Sequence, residues 1–188
     1  MWACCLALVQ AALAGEAGTA MIEQHFLDDC GVQLRKLKTQ GEKAIAQISD
    51  GQLFAMLDPE SNSIATIMKH VSGNMRSRWR DFLTTDGEKP DRNRDSEFES
   101  DAGDTRDTIM ARWEDGWTMF ANAISSLKPE DLANTVTIRS EPQTVVQAIN
   151  RQMTHYAGHV GQMVLLAKHF AGTNWQTLSM PRAGKSRL

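Results

Sequence analysis

Cysteine is scarce. Cys4, Cys5 and Cys30 are the whole complement, an odd number with no CxxC spacing, so neither a disulfide framework nor a thiolate zinc site is readable and a reducing compartment fits best. Basic runs and basic-aromatic interleaving are missing too, and the formal net charge is −3. The electrostatic footprint of a DNA- or RNA-binding protein is therefore absent, and no nucleic-acid partner is expected. Long apolar runs are also lacking. The stretch from Leu6 to Ala14 falls far short of the roughly 20 residues that a membrane span needs, so no membrane partner is expected either.

Residues 1–20 contain no Lys or Arg. Although Ala-Leu-Ala could pass for a cleavage site, the basic start of a signal peptide is missing. This segment reads as an N-terminal extension, and residues 21–188 as the domain proper. A cytoplasmic location follows as an expectation.

What is present is ordinary for one soluble domain: 188 residues, 41% hydrophobic and 23% charged, which argues against disorder and fibrous classes. From Met21 onward, apolar residues recur at three- and four-residue steps in four long segments, the signature of amphipathic helices. The first spans about Ile22 to Ile48, with Gly41 as a candidate bend. The second follows a cluster of N-capping residues at 58–63 and continues to about Thr84 through Ile64, Met68, Val71, Met75, Phe82 and Leu83. The third covers about Thr105 to Leu127, and the fourth about Gln143 to Ala171, with Gly172 as its C-terminal cap. Thr135–Ile138 is β-prone but too short for a sheet alone, so an extended connection is expected there.

The fold class is therefore all-α, a four-helix bundle. Between the second and third helices, TTDGEKPDRNRDSEFESDAG supplies about 20 polar residues where bundle loops ordinarily have roughly 2–8. That length suits a crossover joining two parallel helices and favours an up-down-down-up order.

His155 and His159 are four apart, which places their side chains on one helix face about 5–6 Å apart. Their stripe, with Ala148, Gln152, Gln162 and Leu166, flanks the apolar stripe of the same helix. His70 occupies a matching flank of the second helix with Ile67, Asn74 and Ser77. Three neutral imidazoles would leave a divalent ion an open position, the arrangement of a catalytic rather than a structural site. Zinc is favoured by ligand type, while nickel, iron and manganese suit the same nitrogens. Gln162 and Asn74, one turn beyond His159 and His70, are candidates to assist catalysis by orienting a bound water or substrate; satisfying their own neighbours is the equal alternative. Two rival motifs fail: Tyr156 replaces the Glu of HExxH, and no Glu lies three residues before any histidine. His25 is a spare candidate, and His169 lies about 21 Å along the helix from His155, too far to share an ion. In the long loop, Arg92 and Arg94 could clamp an anion over the metal, but a solvated charged loop is the plainer reading.

Taken together, His70, the run HYAGHVGQ at 155–162 and the helix pattern resemble the DinB/YfiT-like superfamily of metalloenzymes. Within it, NSIATIMKHVSGNMRSRWRDFLTTDGEKPDRNRDSEF, HYAGHVGQMVLLAKH and LSMPRAGKS resemble a DinB-like subgroup known only as a domain of unknown function. The resemblance covers about Met21 to the C-terminus. It implies an up-down-down-up bundle, a metal site on His70, His155 and His159, and a homodimer. Some members use a low-molecular-weight thiol as cosubstrate, so it also implies a small-molecule substrate and a thiol S-transferase or hydrolase. A non-catalytic metal-binding bundle with a stress or interaction role is the alternative. A metal-free helical dimer is a third reading, and it requires that the histidines do not converge.

Overall fold

The computed structural model describes residues 2–180 and Ala183; of residues 2–17 and Thr19 only the helical backbone is described. The closing LSMPRAGKS motif therefore lies mostly outside the described residues. The chain is mostly helical, with helices α1 (Trp2–Ile45), α2 (Asp50–Phe54), α3 (Ile64–Trp79), α4 (Arg106–Ser125) and α5 (Val145–Ala171), and one antiparallel hairpin of β1 (Thr135–Ile138) and β2 (Glu141–Thr144). No helix among the described residues is long and apolar enough to cross a membrane.

The capping residues set where the helices start. Ser63, Thr105 and Thr144 each accept a hydrogen bond from the backbone N–H three residues on, and the last two complete reciprocal capping boxes. Four of the helices lie close to the spans that periodicity predicts, and the departures have local causes. Helix α1 begins at Trp2 and runs without interruption through Met21. Gly41 marks no break; it makes room for the Trp113 indole, which would stand 3.2 Å from an added Cβ. Helix α2 was not expected, and a Ser49–Gln52 capping box nucleates it. Helix α3 stops at Trp79, short of Thr84, because Arg80 turns extended and Asp81 takes a positive φ of 48°. Leu83 thereby loses its place on the apolar stripe and lies exposed.

The core is one continuous cluster. Helix α3 packs mainly on α4, and α1 mainly on α5. Gly116 permits the close approach of α3 and α4, since a Cβ there would meet the Ser72 Cα at 3.1 Å. Trp113, Phe120 and Tyr156 are fully enclosed. Trp79 stacks on Phe120 at 4.3 Å, and Phe120 meets Tyr156 edge-on at 5.3 Å.

Thr135–Ile138 is not a lone extended connection, because it pairs with Glu141–Thr144. Pro142 hid the second strand in the sequence, but in a two-stranded ribbon every strand is an edge and tolerates proline. Arg139 and Ser140 both adopt positive φ to make the two-residue turn. They lack the usual Asn-Gly chemistry and are held from outside. The Asp86 carboxylate accepts the backbone N–H groups of Glu88 (2.7 Å), Ser140 (2.7 Å) and Arg139 (2.9 Å). These donors hold its pKa down at about 2. The Gly87 N–H adds a bond to the Thr137 carbonyl at 2.8 Å. The long polar connection is thus stitched to the hairpin at one end. At its other end, buried Lys69 binds the Asp104 carboxylate and the Glu99 carbonyl, each at 2.6 Å.

Candidate metal centre

Burying the apolar stripe of α3 (Ile64, Met68, Val71, Met75) turns the flank carrying His70, Asn74 and Ser77 inward as well, and all three are buried. On α5, burying Ile149, Tyr156, Val160 and Met163 leaves His155 and His159 half-buried beside them. The two flanks meet. His70, His155 and His159 form a cluster whose ligand atoms lie within 4.8 Å of one another and could hold a metal ion. The Nε2 of His155 is 3.0 Å from that of His159 and 3.3 Å from that of His70. Two imidazole nitrogens on one tetrahedral ion, each ~2.05 Å from it, would stand about 3.3 Å apart. This convergence is what the metal-free reading forbids.

The outer ring nitrogens decide what the inner ones offer. His70 Nδ1 lies 2.9 Å from Glu97 Oε2, and His159 Nδ1 lies 2.9 Å from Gln162 Oε1. Facing these acceptors, each Nδ1 carries the proton, so each Nε2 presents a lone pair to the centre. His155 Nε2 has one proton at most and cannot satisfy both neighbours. The donor set therefore suits a cation at its middle, and these residues fit a divalent metal.

Glu97 is the functional residue that sequence reasoning missed. It sits in a single 3-10 turn, Asp95–Phe98, and is buried. Arg92 grips it with Nε on Oε1 and Nη2 on Oε2, both at 2.8 Å. Burial works to raise the Glu97 pKa, but the hydrogen bonds from His70 and Arg92 outweigh it and hold the carboxylate ionised. Gly73, one turn after His70, makes the space for Glu97. Phe98 covers the His70 ring at a centroid distance of 4.9 Å.

The other predicted residues take distinct places. Gln162 is exposed and binds His159. Asn74 accepts the Tyr156 hydroxyl at 2.9 Å, and that hydroxyl in turn accepts Trp79 Nε1 at 3.1 Å, a buried relay that fixes α5 against α3 one residue from His155. Ser77 ties the long connection to α3 by donating to the Gly87 carbonyl and accepting the Lys89 N–H. His25 is exposed on α1 and outside the cluster, and exposed His169 packs on Phe170. The solvated reading of the loop arginines fails for Arg92, whose side chain is 5% exposed because Glu97 and Glu88 draw it in. Beside the cluster, a cavity of about 350 Å³ is bounded by His70, His155 and Asn74.

Burial pushes the His155 pKa down to about 4, with the neighbouring His159 and His70 adding to the fall, and burial also lowers His159. The folded state thus refuses a proton that the unfolded chain takes up at about pH 6.5. Metal-free protein should lose stability as the pH falls from about 6.5 to 4, by about 2 kcal/mol after allowing for the half-exposure of the ring. Urea unfolding of chelator-treated protein at pH 7 and pH 5 checks this. His155→Gln should flatten the slope, and an unchanged slope would refute the assignment.

Comparison with curated proteins finds no match. The family model described as "Protein of unknown function (DUF1572)" matches residues 21–184, nearly nine-tenths of the chain, with the three histidines, Glu97 and Gln162 inside the matched span. The chain belongs to that family, DUF1572.

Proposed function

We propose that this chain is a metal-dependent enzyme that holds one divalent ion on His70, His155 and His159 and acts on a small-molecule substrate. The observation that carries the reading is the convergence of three Nε2 atoms beside a cavity. Such a site keeps a coordination position for a ligand, whereas a structural site is closed. When bound, the ion would supply Lewis-acid chemistry that favours the thiolate or hydroxide form of a coordinated thiol or water. Zinc heads the order of candidates by ligand type, ahead of nickel, iron and manganese. Glu97 and Gln162 hold His70 and His159 in the tautomer that leaves Nε2 free to bind. Asn74, fixed by Tyr156, borders the cavity where substrate would sit.

The reaction class we assign is thiol S-transfer or hydrolysis, with a low-molecular-weight thiol as cosubstrate for the former; the resemblance to DinB/YfiT-like metalloenzymes supports it. That resemblance also supports an up-down-down-up arrangement of α1, α3, α4 and α5, with residues 84–103 as the crossover, and a homodimer. A cytoplasmic location agrees with the sparse cysteines. Cys30 in particular is buried, with its thiol pushed up to about 11 by desolvation. The division into an extension at 1–20 and a domain at 21–188 is supported by the family match beginning at residue 21. A non-catalytic metal-binding bundle is the second reading; the cavity against His70 and His155 favours the enzyme.

Metal content by plasma mass spectrometry is the test. Untagged protein should carry about one ion per chain, and His155→Ala should carry almost none. If neither protein retains zinc, nickel, iron or manganese after reconstitution, the metalloenzyme reading is wrong.

A further inference from the structure

The cavity beside the histidines has an unusual electrical make-up. Arg78, Arg92, Arg94, Arg139 and Arg151 all line it, and no Asp or Glu does. The carboxylates that pair with these guanidiniums are shared and outnumbered. Glu88 alone serves Arg92 (3.1 Å), Arg139 (3.1 Å) and Arg78 (3.6 Å). Glu97 is committed to Arg92 and His70, and Asp95 reaches Arg94 only at 3.9 Å. Five guanidiniums thus face three carboxylates, and Arg151 has no ion pair among the described residues.

Arg78 is the most telling member. It is 4% exposed, and its Nε and Nη1 are buried without a hydrogen-bond partner. Among the described residues its only ion pair is the long one to Glu88. Burial pulls its pKa below the ordinary arginine value, the sign of a charge short of compensation. A buried guanidinium in that condition is costly unless an anion offsets its charge, and Arg78 is one of the residues that line the cavity. Arg139 and Arg151, both exposed, place two guanidinium forks at the rim. Guanidinium forks match planar or tetrahedral oxyanions two oxygens at a time.

We propose that this cavity is an oxyanion subsite that binds the carboxylate or phosphate group of the substrate on Arg78, Arg139 and Arg151, next to the histidine cluster. The inference deepens the metal-site reading and rests on it only in calling the anion's carrier a substrate. The arginines hold the anionic group, and the carrier's reactive part extends past Asn74 toward His70 and His155.

The test is calorimetric titration of the full chain with inorganic phosphate and, separately, with succinate, on protein as purified and after chelator treatment. Substitutions go to the rim, where folding is safe: Arg151→Gln on α5, and Arg139→Asn, since Asn tolerates the positive φ of the turn. The expected result is saturable binding of at least one anion with and without metal, weakened about tenfold or more in the double variant and weakened by added salt. Tighter phosphate binding identifies a phosphoryl substrate, and tighter succinate binding a carboxylate. No binding of either anion, binding lost with the metal, or equal binding by the double variant would overturn the subsite. Metal-independent anion binding by a chain that retains no metal would sink the metal reading and leave the subsite standing.

Discussion

Gly73→Ala should weaken metal binding by about 10- to 100-fold, the usual effect of losing a carboxylate that orients a metal-binding histidine. An added Cβ at position 73 would overlap Glu97 Oε1 and lie 2.7 Å from its Cδ. The carboxylate cannot step aside freely, because both oxygens are held by Arg92 and one by His70. Displacing it unlocks the His70 tautomer and leaves buried Arg92 with Glu88 alone. Alanine favours the helix by up to about 1 kcal/mol over glycine, so a purely local substitution would stabilise α3. Loss of both metal affinity and stability would therefore identify displacement of Glu97. Competition with a chromophoric chelator reads the affinity, and Glu97→Gln should move it in the same direction. Unchanged affinity in Gly73→Ala would mean that Glu97 does not support the centre.

Lys69→Met should lower stability by about 3 kcal/mol, because a buried ion pair broken from one side leaves a buried charge without its close partner. Lys69 and Asp104 have side-chain exposures of 8% and 6% and stand 2.6 Å apart. After the substitution Asp104 keeps half-exposed Arg112 at 3.2 Å and the Asp101 N–H at 3.0 Å, and the Glu99 carbonyl loses its donor. For a chain of this length the melting temperature should fall by roughly 6–12 °C. Residues 95–104 should become susceptible to limited proteolysis, since this anchor closes the connection that carries Glu97. Lys69→Met with Asp104→Leu should recover most of the loss, because removing both charges leaves none buried alone. A single variant as stable as the unmodified chain would show that the pair anchors nothing.

Both effects run through the long connection, and that is where reading the sequence fell shortest. The three histidines were legible because helical periodicity is a local rule: knowing the apolar stripe of α5 places His155 and His159, and the stripe of α3 places His70. Gln162 was legible by the same rule, one turn from His159. Glu97 follows no such rule. It lies 27 residues from His70 in a stretch whose acids and bases look alike, and only the folded path of the connection selects one carboxylate. Arg92 reads as solvated in the sequence for the same reason, since its burial depends on Glu97 and Glu88. The hairpin escaped because its turn is held by Asp86, more than fifty positions away, rather than by its own residues. Helix α3 ended early because Asp81 adopts a backbone conformation that its side chain does not advertise.

Glu97 also sets up a competition. One carboxylate serves two donors, and electron density drawn toward the Arg92 guanidinium is withheld from the His70 ring. The strength of His70 as a donor is thus graded by a residue that never touches it. Evolution could retune the electrophilicity of a bound ion by changing position 92 alone, leaving all three histidines in place, so chains with the same ligands need not share the same reactivity.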